Sequence, residues 1–276
     1  MIVGAAAGAV ALAPAIGSVR WRRTTAALVG RLHVQKTGQR AAFRAADLAD
    51  VPGPARRYFV RSIPENQPLV TRAFVTQRGT FRTGAGDESW RPFDAEQHFS
   101  TTSPGLVWDA RIRMAPLVTV RVRDAYVNGR GSMHASILGV YPVMSQSGTP
   151  ALNAGALQRY LAEAVWFPTA LLPASGVAWS PIDDCRARAT LTDNATTVAL
   201  EFRFSDAGDV REVYAPSRPR EVDGRYEPTP WLVRCDRHDV REDMRIPTRC
   251  EVEWQLPAGP LPYWRGDVTH IRYQSE

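Results

Sequence analysis

Two consecutive stretches of the chain alternate between apolar and polar residues, and this period of two is the feature that most constrains the fold. LVWDARIRM (106–114) has an apolar residue at every second position from Leu106 to Met114. LVTVRVRDAYV (117–127) repeats the pattern, and NGRG (128–131) then provides a turn before the next stretch. A period of two is that of a half-buried strand, so we expect antiparallel strands joined by short turns.

The same signal recurs along most of the chain. Further strands are expected at 69–82, 90–101, 132–141, 186–192, 197–204, 209–215, 231–237, 250–256 and 266–274. Roughly ten strands therefore follow one another at hairpin-like spacing, without the regular helices of a parallel sheet. The sequence predicts a mainly β (α+β) fold, built on an antiparallel sheet that is strongly curved or barrel-like.

One substantial helix interrupts the strands, at residues 153–167. Asn153 is a suitable N-cap, and Pro168 would end the helix. Apolar residues recur at helical spacing along it, at Leu157, Tyr160, Leu161, Ala164 and Val165. We expect this helix to plug the centre of the curved sheet, with further helices in the N-terminal region.

The chain is expected to consist of an N-terminal hydrophobic segment (1–23), a helical region (24–66) and a single β-rich domain (67–276). Residues 2–19 carry no charged side chain and are followed at once by RWRR (20–23). The arginines favour association with a membrane through this segment, with the domain on the cytoplasmic side. A soluble cytoplasmic protein and an exported protein are the alternatives.

Composition argues against several classes of function. The net charge is +6, but the basic residues are almost all arginine and are spread along the chain, so nucleic acid is not an expected partner. The three cysteines form no C-x-x-C pair and the five histidines are scattered, so neither a metal nor another cofactor is expected. Phosphate-binding, dinucleotide-binding and nucleophile-elbow motifs do not occur in the sequence.

WRPFDAEQHF (90–99) contains the first group of candidate catalytic residues. On a strand, Asp94, Glu96 and His98 would share one side, so a carboxylate and an imidazole could act together as acid and base. The alternative is an exposed polar face next to Trp90.

DAYVNGRGSMH (124–134) contains the second group. Asp124, Tyr126 and His134 could meet across a hairpin. The simpler interpretation is that this segment only forms the turn.

The predicted helix provides the third group, because Arg159 and Glu163 are four residues apart and therefore neighbours on one face. On an exposed face they would form a weak surface pair. On a helix that plugs the sheet, Glu163 would be buried with a raised proton affinity and would be able to serve as an acid or base. The candidate catalytic residues are thus Glu163, His98, Asp94 and Asp124.

The many aromatic residues on the predicted elements have two interpretations. They could fill a large core, or they could line an apolar cavity that accepts a greasy molecule. The candidate ligand-binding residues are Trp90, Trp108, Tyr126, His134, Tyr160, Trp166, Trp179 and Trp254.

Several short motifs resemble those of a bacterial family of uncharacterised, often membrane-anchored proteins that is known only as a domain of unknown function. They are ARRYF (55–59), QRGTFR (77–82), WRPFDAEQ (90–97), VWDAR (107–111), DAYVNGRG (124–131), RYLAEAVWFPTALL (159–172), PW (230–231) and EVEW (251–254). The resemblance covers roughly residues 50–275. It implies a possible anchor at the N-terminus but assigns no activity or catalytic residue. In architecture alone, the chain is also similar to curved-sheet carriers of lipids and lipoproteins.

Three functions remain open. The first is binding of a hydrophobic small molecule or lipid in a cavity of the curved sheet, near the membrane. The second is a cofactor-independent enzyme, such as a cyclase, isomerase or hydrolase, whose acid–base groups line the cavity around a hydrophobic substrate. The third is an assembly partner at the membrane, which would require an exposed apolar patch rather than an internal cavity.

Overall fold

The computed structural model describes residues 2–33, 41–84, 86 and 89–275, with side chains from residue 15 onward. These residues form three α-helices: α1 (Ile2–Leu32), α2 (Gly53–Ser62) and α3 (Pro150–Glu163). A single 3₁₀ turn, Ala45–Leu48, lies between α1 and α2. Part of the helical region expected over 24–66 falls on residues 34–40, which lie outside the described residues.

The described residues also form 13 strands in one antiparallel sheet. The strands are β1 (Arg72–Arg82), β2 (Trp90–Ser100), β3 (Gly105–Ala115), β4 (Val118–Val127), β5 (Arg130–Ile137), β6 (Tyr141–Ser147), β7 (Val177–Pro181), β8 (Arg186–Asp193), β9 (Thr196–Phe204), β10 (Val210–Val222), β11 (Arg225–Arg241), β12 (Met244–Leu256) and β13 (Gly259–Gln274). The predicted class, a mainly β fold with a curved antiparallel sheet, is confirmed.

The sheet contains more strands than the roughly ten that were expected. The sequence pattern did not predict β6 and β7, and each of these strands lies at an edge of the sheet. Most of their side chains are exposed on both faces, so the alternation that reveals a half-buried strand is missing.

The order of strands shows that the sheet is open, with β6 and β7 as its two edges. It runs from β6 back to β1, continues with β13 and ends at β7, and the chain passes from one edge to the other through α3. We call the face that packs against α3 the inner face and the opposite one the outer face. Residues of the inner face and of α3, among them Leu106, Trp108 and Leu161, share one large apolar core.

Helix α3 begins and ends earlier than predicted. It starts at Pro150 because the hydroxyl of Thr149 accepts a hydrogen bond from the backbone N–H of Leu152, at 3.1 Å, and proline fits the first turn. The expected cap, Asn153, instead accepts a hydrogen bond from the N–H of Gly131, at 2.8 Å. After Glu163, short 3₁₀ turns continue as far as Ser175.

Helix α1 covers part of the outer face. The indole Nε1 of Trp21 donates to both carboxylate oxygens of Asp109, at 3.0 and 2.9 Å. The Arg123 guanidinium stacks over the Trp21 ring at 4.4 Å and donates to the Thr25 hydroxyl at 3.1 Å. Arg123 is therefore buried beneath α1. Across the described residues, no helix combines the length and hydropathy needed to cross a membrane.

Candidate functional site

A cavity of about 600 Å³ lies between α3 and the inner face of the sheet. This volume falls within the range of roughly 300–1,000 Å³ that is typical of small-molecule sites. Helix α3 lines it with the small residues Ala151, Gly155, Ala156 and Ala162. The sheet and the turn after α3 line it with large side chains, namely Phe81, Leu106, Trp108, Trp166, Trp231, Trp254, Tyr263 and Trp264. Because small residues face large ones across the space, an apolar volume stays open.

Arg159 is the centre of a polar cluster at the cavity wall. Its Nε donates to Glu163 Oε1 at 2.8 Å, one turn further along α3, and its Nη1 donates to Asp124 Oδ2 at 2.7 Å. Its guanidinium also lies over the ring of Trp108, 4.9 Å from the ring centre. The cluster therefore ties the helix to β3 and β4 through one cation.

A chain of hydrogen bonds holds Glu163 from the sheet side. Gln97 Nε2 donates to Glu163 Oε2 at 2.7 Å, and Gln77 Nε2 donates to Gln97 Oε1 at 3.1 Å. The indole Nε1 of Trp108 completes the chain by donating to Gln77 Oε1 at 2.8 Å. Both oxygens of Glu163 thus have fixed partners, and the carboxylate is held in one position.

The two carboxyl groups of this cluster are deep in the protein but still face the cavity. The side chain of Asp124 keeps 18% of its surface exposed, and that of Glu163 keeps 15%. Burial raises the pKa of both groups, and their ion pairs with Arg159 act in the opposite direction. Among the residues that the structure describes, Asp124 Oδ1 has no hydrogen-bond partner. Asp124 therefore offers a free acceptor, whereas Glu163 does not.

Arg218 is a second arginine of the cavity, and it was not among the residues selected from the sequence. Its guanidinium lies 4.6 Å from the ring centre of Trp231 and 5.4 Å from that of Trp254. Its Nη2 donates to the carbonyl oxygen of Gly155, at 3.1 Å. The pairing of β10 with β11 shifts register between Ala215 and Arg218, and such a bulge hides the face of a residue from a period-two pattern.

The mouth of the cavity is marked by the lining residues that are exposed, Met144 on β6 and Glu221 and Asp223 at the β10–β11 hairpin. Gln146 of β6 bridges this opening. Its Nε2 donates to Glu221 Oε2 at 2.8 Å, and its Oε1 accepts from the hydroxyl of Tyr226 at 2.7 Å. Side chains rather than backbone ladders therefore connect the two halves of the sheet here.

Five of the residues selected from the sequence line the cavity: Asp124, Glu163, Trp108, Trp166 and Trp254. The other two candidate catalytic residues, Asp94 and His98, lie on the outer face and do not line it. Asp94 forms ion pairs with Arg78 and Arg113, at 3.3 and 3.1 Å. Asp94 and His98 share a side, as expected, but that side points away from α3.

His98 packs beside α1 rather than beside a ligand site. Its ring lies 4.9 Å from the ring of Phe74 and 5.9 Å from that of His33. Burial lowers the pKa of His98. Its surroundings are those of a histidine packed under a helix.

Two residues expected to meet Asp124 have other partners. Tyr126 donates from its hydroxyl to Asp193 Oδ2, at 2.8 Å, and so joins β4 to β8. His134 stands opposite Arg123 in the ladder, whereas Asp124 stands opposite Met133. Asp124, Tyr126 and His134 therefore do not meet across the hairpin, because one residue of register separates the histidine from the aspartate. The simpler interpretation, in which this segment only forms the turn, agrees with the register.

The remaining aromatic candidates pack elsewhere in the fold. Trp90 lies under the guanidinium of Arg265, 4.5 Å from the ring centre. Tyr160 packs against Phe167 with ring centres 5.9 Å apart. Trp179 belongs to an aromatic cluster with Phe59, Phe202 and Phe204. Tyr160 and Trp179 contribute to the core, which is the alternative considered for the aromatic residues.

Potential metal ligands are scattered. Within the described parts of the chain, no three His, Cys, Asp or Glu side chains are grouped closely enough to hold a metal ion. Cys235 and Cys250 face each other across β11 and β12, with sulfur atoms 3.9 Å apart, and both are free thiols. Cys250 also lines the cavity, so a thiol forms part of its wall.

An open 13-stranded antiparallel sheet, a helix laid across its inner face and an apolar cavity between them define a curved-sheet protein with an internal cavity. The model of a family of unknown function, DUF6920, matches residues 49–273, and the chain belongs to this family. The resemblance expected from the motifs is thereby confirmed. No curated protein matches the sequence.

Two solved structures are similar over most of the chain. A LolA superfamily protein from Nitrosomonas europaea is 12% identical, and the alignment covers 80% of this chain and 92% of that one, with a TM-score of 0.41. A DUF1329 family protein from Desulfovibrio piger is 9% identical, with 74% and 86% covered and a TM-score of 0.40.

The raised pKa of Glu163 predicts how the stability of a variant depends on pH. We expect Glu163→Gln to lower the free energy of unfolding by about 1–3 kcal/mol, because the ion pair with Arg159 is lost. Above the ordinary pKa of 4.5, folded wild-type protein holds more protons than the unfolded chain, so its stability falls as the pH rises through this window. Glu163→Gln has no carboxyl group at this position, so its stability does not fall in this way. The difference in free energy of unfolding between wild type and the variant should therefore shrink as the pH is raised from 4.5.

Urea unfolding at several pH values measures this difference. Asp94→Asn is the matched control, because it also removes a carboxylate that is ion-paired with arginine, but on the exposed outer face. We expect it to change stability by less than about 1 kcal/mol. A deficit of Glu163→Gln that grows with pH would show that pairing with Arg159, rather than burial, controls the pKa of Glu163.

Proposed function

We propose that this protein binds a hydrophobic small molecule or a lipid in the cavity between α3 and the sheet. The observation that carries the proposal is the cavity itself, an apolar space of about 600 Å³ lined by aromatic rings. Empty apolar space costs packing energy, because the wall atoms lose their contacts. A ligand that fills the space would restore those contacts and remove its own apolar surface from water.

The few polar atoms at the cavity wall support a ligand with one polar end. Arg218 and Asp124 each line the cavity and each have an atom without a hydrogen-bond partner among the described residues. The other large lining residues are mainly apolar. In ligand sites, apolar walls supply affinity while a few polar groups fix orientation.

A position at a membrane surface is the second part of the proposal. The N-terminal segment up to residue 19 is uncharged, and RWRR follows it. Gly17 of α1 packs tightly against the turn between β5 and β6, since an added Cβ would lie 2.7 Å from Gly139 O. Exposed apolar side chains lie on α1, on the turn before β4 and on β6. They are Ile16 and Val19 on α1, Leu117 on the turn, and Tyr141 and Val143 on β6.

Strand β6 links this surface to the cavity mouth, because Met144 and Gln146 of the same strand line the cavity. A greasy ligand crosses water poorly, so an opening beside the bilayer would shorten its path. Exposed apolar patches of this kind mark membrane or protein contacts. The internal cavity favours a ligand carrier over a purely structural partner at the membrane.

Filling the cavity tests the binding function. Ala156 lines the cavity from α3, and Ala156→Trp would place an indole in the space a ligand needs. We expect this variant to bind a neutral fluorescent hydrophobe, N-phenyl-1-naphthylamine, at least about tenfold more weakly than wild type, which corresponds to about 1.4 kcal/mol. Fluorescence titration measures the affinity, and native mass spectrometry shows whether a co-purified lipid is lost.

Ala27→Trp is the control, because Ala27 is an exposed position on α1. It should bind the probe as wild type does. Equal binding by Ala156→Trp and wild type would mean that the probe binds outside the cavity. An absence of probe binding and of any co-purified lipid in wild-type protein would contradict the proposal as a whole.

Cosedimentation with vesicles tests the membrane contact. Leu117 is 95% exposed, and a leucine side chain inserted into lipid contributes about 1.5–3 kcal/mol. We expect Leu117→Asp to reduce the fraction bound to phosphatidylglycerol–phosphatidylcholine vesicles several-fold. Val240→Asp is the control, because Val240 is also exposed but lies near the β11–β12 turn. Equal losses in the two variants would contradict a membrane contact at this patch.

One observation favours an enzyme as the second candidate function. Asp124 is buried, its pKa is raised by burial, and its Oδ1 has no hydrogen-bond partner among the described residues. A carboxyl group in this state is suited to act as a general acid or base on a hydrophobic substrate, as in a cyclase, isomerase or hydrolase. Asp124 is better placed for this than Glu163, whose two oxygens already accept hydrogen bonds.

The enzyme hypothesis predicts that Asp124→Asn changes the molecule that co-purifies with the protein. We expect wild type to carry a product, and the variant to carry its unconverted precursor, distinguishable by mass or by chromatographic retention. Arg78→Gln serves as the control, because Arg78 lies on the outer face as a partner of Asp94. If the extracted molecules are identical in all three proteins, Asp124 is a binding residue and not an acid–base catalyst.

A further inference from the structure

The guanidinium of Arg218 is enclosed in the cavity wall without a counter-charge in contact. It lies against the rings of Trp231 and Trp254, and its Nη2 donates to Gly155 O. Its Nε has no hydrogen-bond partner, and within the described parts of the chain it forms no ion pair with a carboxylate. Arginine keeps its charge in proteins, so this cation remains one that water no longer solvates fully.

The nearby carboxyl groups do not neutralise it by contact. Asp124 and Glu163 both bind Arg159, so two acidic groups share one guanidinium. Both carboxyl groups are held by Arg159, and neither forms an ion pair with Arg218. Arg218 therefore keeps a guanidinium in the cavity wall that no carboxylate of the described residues contacts.

A buried charge is stabilised when it is paired and hydrogen-bonded. Arg218 lines a cavity whose other walls are largely apolar. An anion on a purely polar molecule would leave those walls unfilled, and an uncharged hydrophobe would leave Arg218 unpaired. A molecule with an anionic end and an apolar body satisfies both.

We propose that the ligand is an amphiphile with an anionic head, a carboxylate or a phosphate, that pairs with Arg218 while its apolar body occupies the rest of the cavity. This inference depends on the proposed binding function and adds the chemical class of the ligand. Arginine suits either head, because its planar fork matches the oxygens of carboxylates and phosphates.

The position of Arg218 predicts how the ligand would be oriented in the cavity. Arg218 and Glu221 lie on the same strand, three residues apart, and Glu221 is exposed at the mouth. At about 3.3 Å per residue, the head would sit roughly 10 Å inside the opening. Fully buried lining residues, including Leu106 and Trp166, would surround the apolar body further in.

Competition binding with three single-chain probes tests the inference on the full chain. The probes are palmitate, palmitoyl lysophosphatidate and methyl palmitate, each below its micelle concentration and each displacing N-phenyl-1-naphthylamine. We expect wild type to bind at least one anion about tenfold or more tightly than the neutral ester. The preferred anion distinguishes a carboxylate head from a phosphate head.

Substitutions of Arg218 assign the preference to this residue. Arg218→Met keeps much of the apolar volume without the charge, and Arg218→Gln is a second neutral variant in case the first fails to fold. Both should lose the preference for the anion while binding methyl palmitate as wild type does. Arg218→Lys, which keeps the charge but not the fork, should retain part of it. Arg211→Met, at an exposed position of the same strand, controls for the change in net charge.

The possible failures are distinguishable. If wild type binds methyl palmitate as tightly as both anions, the anionic head is contradicted and the binding function stands. If the preference persists in Arg218→Met, the head does not pair with Arg218. If N-phenyl-1-naphthylamine binds but none of the three probes displaces it, this inference is contradicted and the binding function stands.

Discussion

The ion pairs of Arg159 are the interaction on which the arrangement of this fold depends. One guanidinium binds Glu163 within α3 and Asp124 on β4, and it stacks on Trp108 of β3. Removing Arg159 would leave two carboxyl groups without their cation, and breaking a buried ion pair in this way costs about 3–5 kcal/mol. The same helix carries the chain from one edge strand to the other. Arg159 therefore holds α3 against β3 and β4, and so fixes one wall of the space between helix and sheet.

Away from the β1–β13 ladder, side chains rather than backbone hydrogen bonds connect the two halves of the sheet. Tyr126 reaches Asp193 at one place, and Gln146 reaches Glu221 and Tyr226 at another. Such bridges can open at the cost of one or two hydrogen bonds, whereas separating paired strands would break a whole ladder. The fold thus combines rigid walls with an opening whose bridging contacts are weak, which suits the proposed binding of a ligand.

The sequence predicted the strands and helices better than it predicted what packs against each of their faces. The alternation from Leu106 to Met114 identified the inner face of β3, and the spacing of Arg159 and Glu163 identified their pairing. Alternation separates the two faces of a strand but does not say what covers each one. Asp94 and His98 share a side, as expected, but that side is the outer face, part of which α1 covers. Both residues therefore lie away from the cavity. Arg218 follows a register shift, where the pattern carries no information about direction.

The two arginines of the cavity differ in what already surrounds them, and this difference bears on specificity. Arg159 is saturated by two carboxyl groups, so it supports the structure and has little left to offer a ligand. Arg218 is held by aromatic faces and by one carbonyl oxygen, contacts that position the guanidinium without neutralising it. The carbonyl oxygen of Gly155 contributes to this arrangement, because it accepts a hydrogen bond from Arg218 and so connects the guanidinium to the backbone of α3. Apolar walls would accept many greasy molecules almost equally, so discrimination between them has to come from the polar group that is held in place and left unpaired.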